Sequence, residues 1–189
     1  MGVATLFMAG VSFTAPGAPG PYTRALTRCP ALREGEYRSK ERLTGLKSEC
    51  KRLTERRRIT GDIGRIGGLG SEPEQLPSPD LPCELKVEVD VEVKRPTDSR
   101  SAVEAAAEDF SLYHSLGYRR LRGIGQEAFT GGDDAWSLVI VRDENVLITV
   151  NYGTTNLNYC PVSEDDALTE ARSALESVAE VNHLSPSAG

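Results

Sequence analysis

Residues 122–153 read RGIGQEAFTGGDDAWSLVIVRDENVLITVNYG, and this stretch decides the fold. A Gly-x-Gly turn leads through a polar loop into two apolar runs, 135–141 and 146–152, split by Asp143-Glu144-Asn145. Short Val/Ile-rich runs around a polar turn predict a β-hairpin. In the first run Trp136, Leu138 and Ile140 alternate with Val139 and Val141, so both faces are apolar. Such a strand belongs inside a sheet with cover on each side, which puts Trp136, Leu138 and Ile140 in the core.

Working outward, CELKVEVDVEVK at 83–94 alternates Leu85, Val87, Val89, Val91 and Val93 with charged residues, a strand with one buried and one wet face. Between these strands, residues 96–118 carry Val103, Ala106, Ala107, Phe110 and Tyr113 on one helical face. Asp98 or Ser99 can cap that helix, and Gly117 can stop it. A second helix spans 163–184, with Ser163 as cap, Glu164, Asp165 and Asp166 in the first turn, and a stripe of Leu168, Ala171, Leu175 and Val178.

Toward the N-terminus the pattern changes. Over 31–58, Leu43, Leu46, Cys50 and Leu53 recur at helical spacing, which predicts a basic amphipathic helix within 29–59. Residues 60–82 hold five glycines and then four prolines, the composition of a linker. The glycine run resembles a phosphate loop but matches neither phosphate-binding spacing, and no helix follows it. The first thirteen residues are apolar, too few to span a bilayer and suited to a signal-peptide core. No Lys or Arg precedes Arg24, so the signal reading needs a start upstream; otherwise 1–28 is a loose tail. Either way, the N-terminus is the place where membrane association is expected.

Charge is unevenly spread. Residues 1–72 carry 13 Lys/Arg against 7 Asp/Glu, a net of +6, whereas 73–189 carry 9 against 21, a net of −12. The acidic part argues against a nucleic-acid partner, which needs clustered cations. Cys29, Cys50, Cys83 and Cys160 are spaced by 21, 33 and 77 residues, which fits no zinc signature and suits two disulfides. Four cysteines allow three connectivities, and the sequence does not choose among them; tying the start of the first helix to the first residue of the clear strand leans towards Cys29–Cys83 with Cys50–Cys160.

Chemistry is sparse. His114 and His183 are the only histidines, each near a helix end, and no nucleophile elbow or zinc motif is present. No cofactor is expected. A paired-carboxylate hydrolase would have to use Glu127 with Asp133 or Asp134 in a wet, glycine-rich loop, which works against the raised pKa it needs. The alternative use of that loop is a ligand-binding lip of Gln126, Glu127, Asp133 and Asp134; the plainer account has Gly123 and Gly125 turning the chain while Ile124 plugs the core.

The succession of a Cys-led helix, a Cys-led alternating strand, an amphipathic helix, GIGQEAF, the VIVRDENVLITVNY hairpin and an Ala-rich C-terminal helix resembles the small secreted or lipid-anchored domains of actinobacteria, found as envelope lipoproteins and sensor ectodomains. The resemblance covers about 83–184 and implies an extracytoplasmic α+β sandwich without catalytic residues. Two departures stand out: the charged segment before Cys83, and Arg28 where a lipoprotein has a small residue before its acylated cysteine. The expectation is therefore an α+β domain at 83–184, helices packed on a mainly antiparallel sheet, preceded by a tail (1–28), a charged helix (29–59) and a linker (60–82), and followed by a short tail (185–189). The expected role is a non-catalytic envelope protein binding a small ligand or another protein. The alternative is a cytoplasmic module that docks through its basic helix.

Overall fold

The computed structural model describes residues 15–27, 29, 38–43, 45–56, 83–133, 135–154 and 162–184. They form one seven-stranded antiparallel sheet with a helix on each face. The strands are β1 (Arg38–Leu43), β2 (Lys47–Arg56), β3 (Cys83–Val93), β4 (Arg119–Leu121), β5 (Glu127–Gly132), β6 (Trp136–Asp143) and β7 (Val146–Thr154). Their order across the sheet is β1-β2-β3-β7-β6-β5-β4. After β3 the chain crosses one face as helix α1 (Ala102–Ser111) and a 3-10 turn (Leu112–Leu116) to reach the far edge. It then meanders back from β4 to β7, beside β3, and helix α2 (Glu164–Val181) covers the other face.

Strand alternation explains why two helices are needed. On one face, Val87, Val89, Val91, Val139, Val141, Ile148 and Val150 meet Ala167, Ala171, Ala174, Leu175 and Val178 of α2. On the other, Ile140 and Phe129 meet Phe110 of α1, with the two phenyl rings stacked at 5.0 Å. The central hairpin therefore has cover on both sides. Ile140 is fully buried, while Trp136 and Leu138 on the same side are only half-buried, because α1 is short and covers only part of that face.

The N-cap of α1 is Ser101 rather than Asp98 or Ser99: its hydroxyl accepts from the Glu104 amide, and the Glu104 carboxylate accepts from the Ser101 amide. This reciprocal arrangement satisfies two amides that a helix start leaves unpaired. Gly117, at φ 76°, ends the 3-10 turn.

The helix expected over 29–59 is not formed; its described parts are β1 and β2. The apolar spacing was a coincidence of two elements. Leu43 closes β1, Leu46 lies in the turn, and Cys50 and Leu53 sit on opposite faces of β2 by strand alternation. The inward face of β2 is Ser48, Cys50 and Arg52, all buried, and pairing with β3 decides its conformation.

Of the N-terminal stretch, residues 15–27 run along the α2 side of the sheet, with Tyr22, Ala25 and Leu26 in the core. The Ala25 amide bonds the Gly45 carbonyl, and the Leu26 amide bonds the Ser48 hydroxyl. This course brings Cys29 to Cys50, and the two form a disulfide with Cα atoms 5.6 Å apart. The pairing Cys29–Cys83 with Cys50–Cys160 is thereby corrected: the N-terminal segment lies along β2 and reaches Cys50 first. Cys160, the expected linker at 60–82 and the apolar residues 1–13 lie outside the described residues, and Cys83 opens β3. Among the described residues no helix is long and apolar enough to cross a membrane.

Candidate functional site

The GIG loop is a structural device. Gly123 and Gly125 take φ of 80° and 56°, and Ile124 between them is buried in the α2-side core. A side chain at Gly125 would collide with Val141 and the Arg142 carbonyl, so the tight approach of loop to β6 requires glycine. A recess of about 290 Å³ lies along this loop, lined by residues 120–126.

The four residues of the expected lip do not converge. Gln126 and Glu127 stand at the start of β5 and are tied to Arg142, whose guanidinium donates to the Glu127 carboxylate at 2.8 and 2.9 Å and to the Gln126 carbonyl oxygen at 2.9 Å. Gln126 also donates to Glu144 and accepts from the Glu144 amide. Their polar atoms thus serve to fasten β5 to the β6–β7 turn. Asp133 lies at the opposite end of β5, roughly 20 Å away at ~3.3 Å per strand residue. There one carboxylate oxygen accepts from the Ala135 and Trp136 amides and closes the β5–β6 turn. Asp134 lies outside the described residues. Glu127 and Asp133 are therefore too far apart to act as a catalytic carboxylate pair.

The Asp133 end of the sheet does form a cleft. Helix α2 packs mainly across β7, β6 and β3 on that face. Register places Arg119 opposite Thr130, Thr130 opposite Val139, and Ser137 two residues along, so the three share the α2-side face, with Arg119 exposed and Thr130 and Ser137 buried. Together with Asp133, Trp136 and Glu164 they line an open cleft of about 510 Å³. Apolar surface is added by Tyr118, Leu116 and Val162. Gly131, the register partner of Leu138, leaves room on the α1 side of the sheet for the Tyr118 ring, which lies where a side chain would project.

One nitrogen of Arg119 donates to both carboxylate oxygens of Glu164, at 2.5 and 2.6 Å, joining β4 to the first turn of α2. Thr130 is 3% exposed, and its hydroxyl has no hydrogen-bond partner among the described residues. Orphaned buried hydroxyls are uncommon in folded proteins. Asp133 was singled out from sequence, but its neighbours in this cleft were not. They come from β4, β5, β6 and the start of α2, and no local spacing links them. Among the described residues no group of three or more His, Cys, Asp or Glu is placed to hold a metal ion.

His114 is exposed, with its ring edge-on to Phe129 at 4.5 Å, a packing role at the end of the α1 cluster. His183 is exposed just past α2, at φ 56°. Neither faces the cleft. The disulfide is of the kind that persists in oxidising compartments. No protein-family model, curated protein or solved structure matches the chain.

Proposed function

We propose that this chain is a non-catalytic, extracytoplasmic binding module that takes a small ligand in the cleft between the start of α2 and the β4–β5 edge. The observation that carries the reading is the cleft itself. Its 510 Å³ lies within the ~300–1,000 Å³ typical of small-molecule sites, and it combines apolar walls with a few polar groups. The Cys29–Cys50 disulfide supports the compartment. The non-catalytic part rests on the wide separation of Glu127 from Asp133 and on both histidines standing away from the cleft. The docking alternative depended on a basic helix, and that segment contains β1 and β2 instead.

The test is a broad small-molecule screen on the oxidised protein, read by amide chemical shifts. At least one ligand should move the signals of Gly131, Trp136 and Val162 together. A screen in which hits move only the GIG loop or the β1–β3 face would refute the assignment.

A further inference from the structure

We infer that the 3-10 turn after α1 is a docking tip that seats this protein on an anionic lipid bilayer. The inference does not rest on the ligand cleft, which Leu116 also borders. Among the described residues the exposed large hydrophobic side chains are Leu112 and Leu116, at 65% and 61% exposure, and both belong to this one turn. Exposed leucines scattered singly need no explanation; two on one five-residue turn do. The turn is firmly held. The Tyr113 ring lies 6.4 Å from that of Phe110 and 6.2 Å from that of Tyr118, and the His114 ring meets Phe129 edge-on at 4.5 Å. These aromatic contacts fix the turn on the sheet while Leu112 and Leu116 stay in water.

The charge beside the leucines selects the partner. His114 packs on Phe129, and register sets Arg120 opposite Phe129, so Arg120 lies on the same side of the sheet as the turn. Arg120 is 62% exposed and approaches Glu127 only to 3.6 Å. Arg122, two residues on, is also exposed and has no ion pair among the described residues. The acids on the neighbouring surface of α1 are already engaged, Glu108 by Arg100 and Asp109 by Lys94. The tip thus sets apolar side chains beside arginines with donors to spare, although the chain as a whole carries −6. An anionic bilayer complements both features. The leucines enter the acyl boundary, the half-buried Tyr113 and Tyr118 lie at headgroup depth, and the guanidiniums fork onto lipid phosphates. A protein partner fits less well: stable interfaces bury ~800 Å² on each side, far more than two leucines offer, whereas a bilayer asks for no matching shape.

The test is co-sedimentation of the full oxidised chain with vesicles of phosphatidylcholine alone and of phosphatidylcholine with phosphatidylglycerol in equal parts. Binding should saturate on the mixed vesicles, be about tenfold weaker on the neutral ones, and fall as salt is raised. Leu112→Ser with Leu116→Ser should weaken it by about tenfold or more at every salt concentration, with thermal unfolding unchanged because both side chains already face water. Arg120→Gln with Arg122→Gln should erase most of the preference for the anionic vesicles and leave the weak binding to neutral ones. Residues 1–72 carry a net +6 and can attract the same vesicles on their own, so binding that the leucine pair does not weaken would overturn the inference. Indifference to both kinds of vesicle would do the same. A leucine-dependent dimer in sedimentation equilibrium, with vesicles ignored, would overturn the bilayer and assign the tip to a second copy of the chain.

Discussion

The sheet contains two hairpins that reach the same conformation by opposite routes. In the β6–β7 hairpin the chain announces itself: Val139, Val141, Ile148 and Val150 alternate with outward residues and are fully buried against α2. In the β1–β2 hairpin the buried positions of β2 are Ser48, Cys50 and Arg52. Each of these inward side chains has a neighbour distant in sequence. Ser48 accepts from the Leu26 amide, Cys50 is bonded to Cys29, and Arg52 approaches Glu170 of α2 at 4.0 Å. Period two is present in both hairpins; it is visible as hydrophobicity only in the first. A strand whose buried face is polar gives no amphipathic signal, and an accidental helical spacing of leucines can then dominate.

The largest effect that separates the two hairpins is core truncation. Ile148→Ala in β7 should cost about 2–5 kcal/mol, because a fully buried side chain leaves a cavity between sheet and helix. Leu53→Ala in β2 should cost under about 1 kcal/mol, since Leu53 is only half-buried, on the face away from Cys50. Chemical denaturation measures both. Equal losses would mean that Leu53 belongs to an apolar stripe after all, as a helix would make it.

Next comes the cross-link that replaces hydrophobic cover on β2. Cys29→Ser with Cys50→Ser should lower stability by roughly 2–4 kcal/mol, since a bridge across 21 residues restricts the unfolded chain. Wild-type protein under reductant should reproduce the loss, while the doubly substituted protein should be indifferent to reductant. A reductant effect that persists in the variant would assign the stabilisation to a different pair of cysteines.

Tyr22 links the N-terminal segment to the legible hairpin. Its hydroxyl donates to the Asp143 carboxylate at 2.6 Å, while Asn145 holds its backbone amide and carbonyl. Burial, reinforced by hydrogen bonding to Asp143, pushes the phenol well above its ordinary value near 10. The native state therefore holds the proton more tightly than the unfolded state does. Stability from this group is complete below pH ~10 and declines as pH rises beyond that. Tyr22→Phe should cost about 1–3 kcal/mol at neutral pH by depriving a buried carboxylate of its donor, and should flatten the alkaline decline. An unchanged alkaline limb in the variant would show that another group drives it.

These contrasts also mark how far the sequence is legible. Alternation at 83–94, the apolar hairpin and both amphipathic helices lie in contiguous residues, so β3, β6, β7, α1 and α2 can be read directly. The plug role of Ile124 follows from its flanking glycines. By contrast, β1–β2 depends on a disulfide and a buried arginine whose partners lie 21 and 118 residues away. The cleft is similarly opaque, because Arg119, Thr130, Ser137 and Glu164 are gathered by sheet register and by where α2 begins. In the GIGQEAFTGGDD loop the polar residues looked like one lip, but β5 runs between them and carries Asp133 to the other end of the sheet.

The smallest expected effect tests the pairing of the illegible strand most directly. Register sets Glu49 of β2 opposite Asp90 of β3, a like-charge pair on the face that α2 does not cover. Desolvation raises the Asp90 carboxyl above its ordinary value, and Glu49 adds to the rise while Lys51 opposes it. A raised carboxylate pKa means stability that is present in acid and is lost as pH climbs through the folded value, so at neutral pH this pair is a mild liability. Asp90→Asn or Glu49→Gln should therefore each raise stability at neutral pH, and the two gains should not add, since either change removes the same repulsion. The coupling between them should be about 0.2–1 kcal/mol, the range for directly opposite strand pairs, and should shrink at high salt. A double-mutant cycle by urea denaturation at low ionic strength measures it. Shifting the second change to Glu84, which register sets opposite Glu55 near the start of β3, supplies the control and should show no coupling with Glu49. Full additivity of Glu49 with Asp90 would separate the two carboxylates and, with them, β2 from β3 in this register.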